Sequence, residues 1–138
     1  MKFILDCSVT MPWLLRNDST GYAENILKYL GDSRNLALVP RLWYLEVGNT
    51  LLVAESRKKI TEAESERFIQ WLQNLPIEED DSHTLQFFDR TMSMAREHKL
   101  SFYDAVYLEL AMRESLPIAT LDKQLKEASL SVGIELVT

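Results

Sequence analysis

One cysteine, four glycines and two histidines in 138 residues exclude several kinds of chemistry before any motif is sought. The lone thiol, Cys7, rules out an internal disulfide and fits a reducing cytoplasm. So few glycines leave no glycine-rich phosphate loop. His83 and His98 fall in or beside one helix, and with a single cysteine they cannot supply the donors of a zinc site. Neither stands near a strand end, where a Ser–His–Asp triad would need one. No apolar run approaches the ~18 residues of a membrane span, and the early charge at Asp6 breaks any signal-peptide pattern. Positive charge is also short. Lys and Arg number 15 against 21 Asp and Glu, for a net charge of −6. That balance argues against a protein that holds nucleic acid on a broadly basic surface.

What is present is an ordinary globular composition, 46% apolar and 26% charged, of a length that suits one domain, residues 1–138. Short apolar runs alternate with helical patterns. Phe3-Ile4-Leu5, Leu36-Ala37-Leu38-Val39, Ile77, Ile118-Ala119-Thr120 and Ile134-Glu135-Leu136-Val137 read as strands. Ser8 opens a short helix to about Leu15. Asp18 or Ser19 caps a helix ended by Gly31, and Thr61 with Glu64 forms a capping box for a helix stopped by Pro76. A helix carrying Leu85, Phe88, Met92 and Ala95 ends near His98, and Ser101 and Asp122 cap the last two. Residues 42–54 form a helix that is apolar almost all round, which predicts deep burial. The alternation predicts a three-layer α/β/α fold around a mainly parallel sheet. No repeat or linker interrupts it.

In such a sheet, ligands gather beyond the carboxyl ends of the strands. Asp6 and Asp122 directly follow strands, Asp104 opens a helix, and Glu46 is the only charge in the apolar helix 42–54. Taken singly, each has a plain reading: Asp6 accepting turn hydrogen bonds, Asp104 completing a capping box, Asp122 serving as an N-cap. Taken together, they share one edge of a parallel sheet. Four carboxylates within ~5 Å would repel by about 3 kcal/mol per pair at an effective dielectric near 20. One or two Mg²⁺ or Mn²⁺ ions would make that crowding tolerable.

Leu5-Asp6-Cys7-Ser8-Val9, Leu45-Glu46-Val47-Gly48-Asn49, Tyr103-Asp104-Ala105-Val106-Tyr107-Leu108 and Ala119-Thr120-Leu121-Asp122 resemble the four motifs of PIN-domain ribonucleases, most closely the VapC toxins of toxin–antitoxin pairs. The resemblance covers essentially the whole chain. It implies a Mg²⁺- or Mn²⁺-dependent endoribonuclease with Asp6, Glu46, Asp104 and Asp122 as catalytic metal ligands. Ser8, Asn49 and Thr120 match its supporting polar positions. It also implies an RNA substrate, a homodimer and a VapB-like antitoxin, with no membrane association.

On that reading Arg16, Arg41, Lys123 and Lys126 are candidates to steer phosphates. Trp13, Trp43, Tyr44, Phe87 and Phe88 are candidates for a partner groove or for ordinary core. The competing reading is a catalytically silent PIN-fold module that binds RNA or protein. A receiver domain is disfavoured, because it wants paired acids after its first strand and a lysine at a later strand end.

Overall fold

The computed structural model describes residues 1–16, 20–82 and 87–138, with the side chains of Thr20 and Phe87 also left aside. The expected cap at Asp18 or Ser19, together with His83 and Leu85, lies outside the described residues or side chains.

The first strand, β1 (Lys2–Leu5), runs into the short helix α1 (Cys7–Thr10) and a 3₁₀ turn at Met11–Trp13. Then come α2 (Thr20–Leu30), β2 (Leu36–Val39), α3 (Arg41–Ser56), α4 (Glu62–Gln73) and β3 (Ile77–Glu79). A π-helical turn at Phe87–Thr91 leads into α5 (Met92–His98), followed by α6 (Phe102–Glu114), β4 (Ile118–Ala119) and α7 (Lys123–Ser131). The strands form one parallel sheet in the order β3-β2-β1-β4. With helices on both faces, this is the three-layer α/β/α arrangement that the alternating pattern predicts. β1 lies between β2 and β4, and Phe3, Ile4 and Leu5 are fully buried. A continuous apolar run is what a strand covered on both faces requires.

Local signals set several boundaries. The Thr61 hydroxyl accepts from the Glu64 backbone N–H while the Glu64 carboxylate accepts from the Thr61 backbone N–H, the reciprocal capping box. Ser101 accepts from the Asp104 backbone N–H, and Asp122 from that of Leu125.

Two expectations need correction. The closing strand at 134–137 is reduced to a single parallel bridge between Ile118 and Leu136. It stands at the sheet edge against the two-residue β4, which offers it too little ladder to pair with. The apolar helix α3 is not deeply covered either. Trp43, Val47, Leu51 and Ala54 face the core, while Leu45 and Leu52 are 65% and 64% exposed. The deeply covered helix is α6, where every residue from Ala105 to Ala111 is buried. Among the described residues, no helix is long and apolar enough to cross a membrane.

Candidate functional site

Parallel strands bring their carboxyl ends to one side of the sheet, and the four acids follow from that placement. Asp6 is the first residue beyond β1. Thr120 and Asp122 follow β4, the paired neighbour of β1. Glu46 lies in the second turn of α3 after β2, and Asp104 in the first turn of α6. Together Asp6, Glu46, Asp104 and Asp122 line an open cleft of about 340 Å³, with Ser8 and Asn49 on its wall. The sequence-predicted acids therefore do meet.

Asp6 is 5% exposed, and its Oδ2 accepts from the Ser8 hydroxyl at 2.6 Å and the Thr120 hydroxyl at 2.7 Å. Those hydroxyls are fixed in turn. Ser8 Oγ accepts from the Leu121 backbone N–H at 2.9 Å, and Thr120 Oγ1 from that of Asp122 at 3.0 Å. Asp122 Oδ1 caps α7 through the Leu125 N–H at 2.8 Å. Glu46 Oε1 accepts from the Tyr107 hydroxyl at 2.5 Å. Ser8 and Thr120 thus support Asp6 as the sequence suggests. Asn49 lines the cleft with no hydrogen bond to the acids among the described contacts. Tyr107 is the site residue that reasoning from sequence missed. Its spacing of three from Asp104 places it on the same face of α6, and that was the available signal.

The carboxyls sense one another. Burial pushes the Asp104 carboxyl up to about 6, and the charges of Asp122 and Asp6 push the same way. Burial raises Glu46 too, and Asp6 and Asp104 add to it, while the Tyr107 hydroxyl pulls it back. Asp6 is raised by burial and by Asp122 against the pull of its two hydroxyl partners. No ion pair involves any of the four among the described residues.

This arrangement does not fit the metal centre expected above. Among the described residues, no group of three or more His, Cys, Asp or Glu is arranged to hold a metal ion. The physical reason lies in the oxygens. One oxygen each of Asp6, Asp122 and Glu46 is already held by hydroxyl or backbone donors, and desolvation favours the protonated forms of Asp6 and Glu46. The four-carboxylate Mg²⁺ or Mn²⁺ centre of Asp6, Glu46, Asp104 and Asp122 is therefore set aside. With it go the metal-dependent ribonuclease and hydrolase readings that depended on it.

Two of the four basic candidates are committed elsewhere. Arg16 pairs with Glu24, and Arg41 pairs with Glu79 at 3.0 Å. Lys126 lies over the Tyr22 ring, 6.0 Å from its centroid, and Lys123 is exposed. The aromatics divide differently. Trp13 packs edge-on against Trp71 and donates to the Ala23 carbonyl. Phe88 is exposed. Trp43 and Tyr44 line an apolar groove of about 410 Å³ between α3 and α4, with Val47, Ile69, Leu72 and Ile77. Gly48 borders it, and a Cβ built there meets nothing within 4 Å, so the missing side chain contributes the groove's depth.

Comparison with known proteins agrees with this architecture. Three similar structures are a toxin–antitoxin complex from Klebsiella pneumoniae, VapBC2 from Rickettsia felis bound to a fragment of promoter DNA, and PAE2754 from Pyrobaculum aerophilum. The first is 15% identical with a TM-score of 0.66, covering 99% of this chain and 96% of that one. The second is 16% identical with a TM-score of 0.67, covering 99% and 98%. The third is 22% identical with a TM-score of 0.65, covering 93% and 79%. At these identities the likeness is one of fold. Among curated proteins, none matches. The PIN domain family matches residues 3–130, nearly the whole length, and with the parallel sheet and the strand-end acids already described, the chain belongs to the PIN-domain family.

Proposed function

We propose that this PIN-domain chain is a protein-binding module whose acidic cleft receives a basic side chain from an antitoxin-type partner. The observation that carries the reading is the cleft itself: Asp6, Glu46, Asp104 and Asp122 face one opening, with no counter-charge among the described residues. An opposite charge about 4 Å from one carboxylate gains roughly 4 kcal/mol at an effective dielectric near 20, before desolvation is subtracted. The same field repels a phosphodiester, which disfavours RNA as the occupant. In this role Asp104 and Glu46 meet the cation, Asp122 adds to the field, and Ser8 and Thr120 hold Asp6. Asn49 lines the wall. Two of the similar structures, described as a toxin–antitoxin complex and as VapBC2, lend the partner class its support. A cytoplasmic location and a homodimer belong to the same proposal.

The test is a titration of ¹⁵N-labelled protein with acetyl-Gly-Arg-Gly-amide. Shifts at the Asn49 side-chain amide and the Thr50 backbone are expected, with affinity about tenfold weaker in Asp104→Asn, the loss of one charge-assisted contact. No shift at the cleft, or equal affinity in the variant, overturns the reading. The same samples report tumbling, and a monomer's rate removes the dimer.

The groove beside α3 supports a helical body for that partner. Successive residues turn by about 100° on a helix, so Tyr44 and Gly48 lie on one flank of the buried line Trp43–Val47–Leu51, and Glu46 and Asn49 on the other. On α4, the exposed Glu62 and Glu66 share a helix face with Ile69, which lines the groove. An amphipathic helix with an apolar stripe and flanking lysines complements both features. Gly48→Leu fills the space from the α3 side. It is expected to leave Tm unchanged or raise it, since Gly costs up to about 1 kcal/mol inside a helix. A Leu-striped, Lys-flanked model helix should bind the variant about tenfold more weakly than the wild type, as for a filled apolar pocket. Equal binding would sink the groove assignment.

A further inference from the structure

We infer that Tyr107 is a positioning residue of the acidic cleft, fixing the carboxylate of Glu46 so that one oxygen is locked toward α6 and the other is left to a ligand. The inference rests on the cleft being a binding site, as proposed above. Three observations on different parts of the molecule carry it.

Tyr107 is fully buried, the largest such side chain among the described residues, within the continuous covered stretch of α6. Its ring is therefore a rigid post with no freedom to follow a moving partner. Its hydroxyl reaches across to another element and donates to Glu46 Oε1 at 2.5 Å, 61 residues away in the chain. Glu46 itself sits in the second turn of α3, is half-buried, and has no ion pair among the described residues to orient it. A glutamate has three side-chain torsions, and an unrestrained one samples many rotamers. The Tyr107 hydroxyl removes that freedom at one oxygen.

The placement of Tyr107 ties two acids together. It follows Asp104 by three residues on α6, so the helix that carries Asp104 into the cleft also carries the group that holds Glu46. Glu46 and Asp104 come from separate elements, yet their relative position is set by one buried hydroxyl. Asp6 is held by the comparable pair of Ser8 and Thr120. Asp6 and Glu46 thus each have a hydroxyl that fixes one oxygen. A cation entering the cleft meets a preorganised set, and less side-chain entropy is lost on binding.

The experiment is a double-mutant cycle of Tyr107→Phe and Glu46→Gln, read by two measurements. Phenylalanine keeps the buried ring and removes only the donor; glutamine keeps an acceptor for Tyr107. The first measurement is the Hα–Hβ coupling constants of Glu46. One fixed rotamer is expected in the wild type and an average in Tyr107→Phe. If Glu46 keeps its single rotamer without the hydroxyl, the inference is overturned whatever the peptide does. The second is affinity for acetyl-Gly-Arg-Gly-amide. Tyr107→Phe is expected to weaken binding about fivefold in the wild-type background and not at all in Glu46→Gln, the non-additivity of a residue acting through another. An equal loss in both backgrounds would mean a merely structural role and also overturns it. If the peptide binds neither background while Glu46 still loses its single rotamer in Tyr107→Phe, the basic-partner reading fails and the positioning of Glu46 stands.

Discussion

Replacing Arg113 with methionine is expected to cost about 3–5 kcal/mol of folding stability, the usual penalty for stripping the partner from a buried charge. Arg113 lies near the end of α6, and its guanidinium holds two buried carboxylates at once, besides a longer contact at 3.4 Å to the exposed Glu114. Nη1 and Nη2 reach Asp80 at 3.2 and 3.0 Å, and Nε and Nη2 reach Glu109 at 3.0 and 3.1 Å. The side chains of Arg113, Asp80 and Glu109 are only 18%, 9% and 2% exposed. Methionine matches the aliphatic stem and leaves both acids in the interior without a cation. Burial pushes the Asp80 carboxyl up, but the Arg113 and Ser82 contacts outweigh it and hold it below its ordinary value. The sign follows. A depressed folded-state pKa gives stability that is present above the unfolded value and lost as the pH falls through the folded one. Removing Arg113 reverses that trend at Asp80, so the variant should be least stable at neutral pH and regain stability on mild acidification. Urea unfolding at pH 7 and pH 5 tests both statements. Replacing Arg113, Glu109 and Asp80 together by uncharged residues should recover most of the loss, because the cost lies in unpaired acids rather than in the missing arginine.

The second large effect has the opposite direction. Asp104→Asn is expected to stabilise the protein at pH 8 by about 1–2 kcal/mol. A rise from 3.8 to about 6 would correspond to some 3 kcal/mol in full, and a half-exposed group earns a substantial discount for solvent screening. An acid whose folded-state pKa is raised binds protons more readily folded than unfolded. Its charge destabilises the fold above about pH 6, and that cost is relieved as the pH falls toward 3.8. Asp6 and Glu46, also raised, act in the same direction. Stability should therefore increase from pH 8 to about pH 5 in the wild type, and by less in Asp104→Asn. The Ser101 cap uses the Asp104 backbone N–H, so the substitution leaves it in place. A variant more stable yet poorer at binding the arginine peptide is the signature of a site kept at the expense of stability. Calorimetric Tm across that pH range is the check.

Much of this could be read from the chain before its structure. The apolar triplet Phe3-Ile4-Leu5 announced a strand covered on both faces. A parallel sheet then required Asp6, Thr120 and Asp122 to share an edge. Caps at Thr61, Ser101 and Asp122 are local and were legible for that reason. What failed was the chemistry of the converged acids and several side-chain pairings across long stretches of chain. Crowded carboxylates were taken to be ionised and to need a cation, whereas the protein raises the pKa values of Asp6, Glu46 and Asp104 and gives Asp6, Glu46 and Asp122 hydroxyl or backbone donors. Tyr107 and Glu46 are separated by too much chain for any spacing rule to pair them, and so are Arg113 and Asp80. The helices α3 and α6 show the same limit from the apolar side. Both are rich in apolar residues throughout, and only packing decides that α6 is enclosed while α3 exposes Leu45 and Leu52. Periodicity ranks faces within a helix; it does not rank helices by depth.

The central claim is that the acids from four elements form a receptor for a basic side chain rather than a seat for a divalent ion. Parallel NMR titrations of the wild type with acetyl-Gly-Arg-Gly-amide and with Mn²⁺ test it most directly. Saturable shifts at Asn49 and Thr50 with the peptide, and no saturable broadening there with Mn²⁺, are the predicted result. Stoichiometric broadening of the cleft by Mn²⁺, with the peptide silent, would contradict it.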